Sequence, residues 1–112
     1  MAVFRPRLKK IDFMGSEAFL ASLLGFLGDE VRLILDLSEV QFIDSSGLGK
    51  IVAALRAFRE RGGDLRICGA QAPVEVLFTM VRLGDIVGIY ADEAAAAEGF
   101  AADRPSGNGP AP

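Results

Sequence analysis

The sequence predicts an α/β domain: a central sheet of about four strands with helices packed on it. Two observations carry this. Short apolar runs of strand length alternate with longer runs whose apolar residues recur at helical spacing, and such alternation argues parallel crossovers. The chain has 112 residues, about half of them apolar, which suits one domain with one modest core.

Each element has its own signal. Residues 3–8 read as a short strand, and Pro6 confines it to a sheet edge because it has no N–H to donate. Residues 9–15 read as a connection. Ser16 is a suitable N-cap, and Glu17 favours the same helix end. Phe19, Leu20, Leu23, Leu24 and Leu27 then repeat at helical spacing, predicting a helix over 16–27 that Gly28 ends. Residues 32–37 form an almost continuous apolar run, as an inner, doubly covered strand requires. A second helix is expected over 46–61. Leu48, Ile51, Val52 and Leu55 are its buried stripe, with Lys50, Arg56, Arg59 and Arg61 outside and Gly62-Gly63 as its stop.

Residues 65–68 read as the next strand, with Cys68 as a buried small hydrophobe. Pro73 opens a third helix whose stripe is Val74, Leu77, Phe78 and Val81, and Gly84 is the expected C-cap. Residues 86–90 suggest a last strand, and Asp92 caps an alanine-rich helix reaching about 102. The expected domain is 1–102. The tail, 103–112, rich in Pro and Gly, reads as disordered.

Composition excludes several function classes. The net charge is -3, so no basic field favours nucleic acid or an anionic membrane. No run approaches the ~18 apolar residues of a membrane span, so no membrane insertion is expected. The lone cysteine rules out an internal disulfide and fits a reducing cytoplasm. With no histidine, histidine-dependent triads and histidine metal ligands are absent. The chain thus offers no catalytic set, cofactor site or metal site, and reads as a non-enzyme.

The most informative stretch is Phe42-Ile43-Asp44-Ser45-Ser46-Gly47-Leu48-Gly49. It sets two hydroxyls and a carboxylate where a strand hands over to a helix. Sites in open α/β sheets form at that end of the strands. A phosphate on Ser45 or Ser46 would meet free backbone N–H groups there. Gly47 and Gly49 place no side chain in the way of an approaching enzyme. Asp44 could orient the serine, accept its proton, or cap the helix, and capping alone is ordinary for such a sequence. Gly49-Lys50 is not the end of a phosphate-binding loop, because Asp44 and Ile51 stand where Gly and Ser or Thr are needed. Nor is Ser45 a nucleophile elbow, since Ile43 precedes it where Gly is required. Arg5, Arg7, Lys9 and Lys10 form a solvated face or a docking patch for an acidic partner. Leu77, Phe78, Met80 and Val81 read as core.

Leu35-Asp36-Leu37-Ser38 followed by the Asp44 turn resembles the signature of bacterial anti-sigma factor antagonists, which are STAS domains. Arg61-Gly62-Gly63, residues 65–68 and Pro73-Val74-Glu75-Val76-Leu77-Phe78 fit the same pattern, so the resemblance covers about 8–100. It implies a STAS-like fold with a mixed central sheet. It also implies a cytoplasmic protein that binds an anti-sigma factor, often a serine kinase, with a serine phosphatase reversing the modification. The implied phosphorylation site is Ser45, with Ser46 the secondary candidate. The implied partner-binding surface is Asp44, Ser45, Ser46, Gly47, Leu48 and Gly49. The alternative is a non-catalytic STAS interaction module in a stress-signalling, transport or lipid-trafficking complex. One departure stands out: family members usually begin with two strands before the first helix, and this chain shows room for one. A missing strand would leave an exposed edge and invite a homodimer at high concentration.

Overall fold

In the computed structural model, residues 1–28 and 31–102 are described. The elements are β1 (Ala2–Phe4), β2 (Lys10–Ile11), α1 (Ser16–Leu24), β3 (Arg32–Asp36), β4 (Phe42–Ile43), α2 (Ser45–Glu60), β5 (Asp64–Cys68), α3 (Ala72–Met80), β6 (Ile89–Tyr90) and α4 (Glu93–Ala102), with a 3-10 turn at Leu83–Asp85. The tail over 103–112 lies outside the described residues.

The main sheet has the order β1-β3-β5-β6, and every pairing in it is parallel. The mixed sheet that the resemblance implied is therefore corrected among the described residues. Its physical reason is that β1 and β2 make no hairpin. Pro6 is buried between them, the chain leaves the main sheet, and β2 pairs instead with β4 in a separate parallel ribbon. The expectation of a single strand before the first helix is corrected by the same observation. Two are present, and the strand read over 3–8 is β1 alone, ending before Pro6.

Alternation along the inner strands sorts residues to two faces. Leu33, Leu35, Leu65 and Ile67 point into the main core with Phe19 and Leu23 of α1, Ile51, Leu55 and Phe58 of α2, and Val74 and Phe78 of α3. Ile34 and Cys68 point the other way, where Ala96 and Phe100 of α4 cover them. Arg66 joins this second face. Its guanidinium lies 4.3 Å from the Phe100 ring centre and donates to the Tyr90 hydroxyl at 3.1 Å. Cys68 is fully buried, as expected. Burial, with Asp36 nearby, pushes its thiol up to about 12.

Helix ends differ in detail from expectation. Gly15, not Ser16, is the N-cap of α1. Ser16 is the first helical residue, buried, with its hydroxyl donating to the Phe13 carbonyl at 3.4 Å. That helix stops at Leu24, before the turns that lead to Gly28 at φ +107°. On α2 the buried set is Gly47, Ile51, Ala54, Leu55 and Phe58, with Leu48 and Val52 half-buried. At the end of α3, Arg82 takes the left-handed conformation (φ 57°) expected of Gly84. Met80 and Val81 are exposed there, so of the four residues read as core only Phe78 is fully buried and Leu77 packs partly. Asp92 caps α4 as expected, its carboxylate accepting from the Ala95 amide at 2.8 Å.

Candidate functional site

The Asp44 turn does not sit directly on the end of the main sheet. After β3 the chain runs through residues 37–41 and forms β4, whose Phe42 and Ile43 pair with Lys10 and Ile11. The ribbon tightens at the turn, where the Asp44 amide donates to the Ile11 carbonyl at 3.2 Å. Side chains alternate on β4: Ile43 is buried and Phe42 faces solvent.

Asp44 is the N-cap of α2. Its Oδ1 accepts from the Gly47 amide at 2.9 Å, and its Oδ2 accepts from the Phe13 amide at 3.0 Å. One carboxylate therefore fixes both the helix start and the loop before α1. Of the three roles open to Asp44, capping is the one with observed bonds; no contact to a serine hydroxyl accompanies them among the described residues.

Ser45 and Ser46 are the first two residues of α2. Ser45 is exposed and Ser46 half-buried. Their amides precede the first intrahelical hydrogen bonds and are not capped among the described residues, as is usual for a first turn. Gly49 is exposed with open space where a side chain would be, whereas Leu48 is half-buried. Gly47 is placed inward instead. A Cβ there would lie 2.6 Å from the Ile11 carbonyl oxygen, so glycine allows α2 to approach β2. Of the six residues expected at a partner surface, five thus reach solvent at least in part and Gly47 supports them from below.

Ser45 and Ser46 line a shallow groove of about 450 Å³ between α1 and α2, with Phe13, Ser16, Glu17, Gly49, Lys50 and Ala53 as its other walls. Lys50 Nζ meets Glu17 Oε2 at 2.9 Å across it. The sequence reading missed the apolar residues beside the turn. Phe13 is 74% exposed, Met14 88% and Phe42 51%. A signal was present: Phe13 and Met14 are large apolar residues outside any helical or strand period. The basic N-terminal cluster is not one face. Arg5 binds Asp36 at 3.3 Å and Glu93 at 3.1 Å, while Lys10 pairs with Asp12 at 3.6 Å. Among the described residues no group of three His, Cys, Asp or Glu side chains is placed to hold a metal ion. Nor is any helix long and apolar enough to cross a membrane.

A family model described as the STAS domain matches residues 3–96. An anti-sigma F factor antagonist of Paenibacillus polymyxa is 38% identical over 62 residues, which is 55% of this chain and 53% of that protein. The chain thus spans about half the length of the curated relatives it matches. A Thermotoga maritima crystal structure of a candidate anti-sigma factor antagonist superposes with a TM-score of 0.77 at 28% identity, covering 87% of this chain and 86% of that one. The unphosphorylated form of the anti-sigma factor antagonist SpoIIAA superposes with a TM-score of 0.72 at 22% identity, covering 89% of this chain and 87% of that one, which is a likeness of fold.

Proposed function

The chain belongs to the STAS domain family, and on that premise we propose that it is an anti-sigma factor antagonist, a non-enzymatic protein of the cytoplasm switched by phosphorylation of Ser45. The observation that carries this is the placement of Ser45. It is exposed, at the first position of α2, on a turn held rigid by Asp44 and bordered by exposed Phe13, Met14 and Phe42.

In the unmodified state these apolar groups and the small residues of the turn pack into an anti-sigma factor. Phosphorylation by that partner, a serine kinase using ATP, adds about two negative charges beside Asp44. A dianion carried into such a contact must be desolvated, which is costly. The complex then separates, and a serine phosphatase restores the binding form. The protein is the substrate in this cycle and needs no catalytic group. Asp44, Ser46, Leu48 and Gly49 share the contact, with Gly47 holding the turn in place. The relatives named as antagonists support the reading.

The test is a comparison of wild-type and Ser45→Asp baits in lysate of the native host, read by mass spectrometry. A kinase-like anti-sigma factor held by wild type, bound about tenfold or more weakly by Ser45→Asp, and retained by Ser45→Ala supports the switch. Identical partners on both baits would refute it and favour a phosphorylation-insensitive interaction module.

A further inference from the structure

We infer that Lys50 is the resident counter-ion for a phosphate on Ser45, and that it reaches the phosphate by leaving Glu17. This rests on the reading of Ser45 as the modified residue and adds how the modified form is accommodated. Ser45, Glu17 and Lys50 line one groove. Lys50 Nζ already lies in it, 2.9 Å from Glu17 Oε2. The Lys50 side chain is 27% exposed and that of Glu17 83%, so the ammonium sits on a packed stem while its carboxylate partner is free to swing into water. Lys50 follows Ser45 by five residues and Ser46 by four, and a helical side chain leans toward the helix N-terminus, so its long stem runs back along the groove toward the turn.

A phosphoserine dianion competes well for that ammonium. It carries about twice the charge of a carboxylate and three acceptor oxygens. Glu17, in the same groove, would repel it, and so would Asp44 next to it in sequence. Lys10, paired with Asp12 at 3.6 Å, is not among the residues that line the groove. Lys50 is the one cation among the lining residues, and so the one placed to exchange partners. The exchange removes the ionic tie between α1 and α2 when the turn is modified. It is a positioning role: Lys50 holds the phosphate and takes no part in its transfer.

The experiment installs phosphoserine at position 45 by genetic encoding, so no kinase is needed. The phosphate is titrated by ³¹P NMR in wild type, Lys50→Met, Lys50→Arg and Glu17→Gln backgrounds. Met keeps the length of the stem, and circular dichroism checks each fold. The expected result is a titration midpoint higher in Lys50→Met by a few tenths of a pH unit, up to about half a unit, as an exposed ion pair allows. Lys50→Arg should restore the wild-type midpoint, and Glu17→Gln should lower it further. Equal midpoints in wild type and Lys50→Met would overturn the inference and leave the switch standing. Loss of the switch in the bait comparison would leave these midpoints unaffected, so the two failures are distinct.

Discussion

Asp44 joins two segments with one side chain, and its removal should be felt in both. Asp44→Ala loses the cap on Gly47 and the bond to the Phe13 amide, and chemical denaturation should show a loss of about 1–2 kcal/mol. Asp44→Asn keeps an oxygen that can cap the helix and should lose less. Unchanged denaturation midpoints for Asp44→Ala would mean that neither bond matters to stability. Cys68 makes a second prediction. It is fully buried, and its thiol is pushed up to about 12, chiefly by burial. The native protein at pH 8 should therefore resist a thiol reagent and react fully only once unfolded. Rapid labelling of the folded chain would contradict that burial.

Helix α2 approaches β2 closely at Gly47. Gly47→Ala puts a methyl 2.6 Å from the Ile11 carbonyl oxygen, and backbone cannot yield as a side-chain tip does. The expected cost is about 1–3 kcal/mol by calorimetry or denaturant melts. Gly49→Ala, with open space around it, should cost less. The contrast also marks what the sequence made legible. The long periodic elements were readable because each buries a continuous stripe: α2 was placed to within a residue at either end, and β3 and β5 nearly so. The ribbon of Lys10–Ile11 with Phe42–Ile43 was not, because two-residue strands have no period to detect. The Asp44 turn was legible from its residue types. Phe13 and Met14 stood out as apolar residues outside any period, but their place beside the turn was not legible, because it depends on tertiary contacts such as that of the Phe13 amide with Asp44. Gly47 offers clearance on sequence grounds, while in the fold its backbone is committed to packing.

For the domain as a unit, acid and concentration are the informative variables. Asp36 is buried at the end of β3, which by itself pushes its carboxyl up. Hydrogen bonding from Ser38, whose amide donates to Oδ1 at 2.9 Å, and the charge of Arg5 outweigh this and hold it below its ordinary value. A carboxyl lowered in the folded state stabilises fully above its unfolded pKa, and the contribution is lost as pH falls through the folded value. Stability should therefore be level near neutrality and decline below about pH 4, and Asp36→Asn should flatten that decline. An equally steep acid limb in the variant would remove Asp36 from the account. The edge of the sheet makes the other prediction. Among the described residues β1 pairs with β3 alone, although the reason is its place in the order rather than a missing strand. Self-association through this edge should show in light scattering at high concentration, and a monomer at millimolar concentration would exclude it. The separation of the β2–β4 ribbon from the four-strand sheet has one more consequence. The proposed recognition surface lies on the exposed residues of 10–17 and 42–50, while Ile11, Ile43 and Gly47 of the same segments are built into the core and have to be kept. Specificity could be rewritten there by loop transplant between relatives, with the melting temperature of the host frame as its witness.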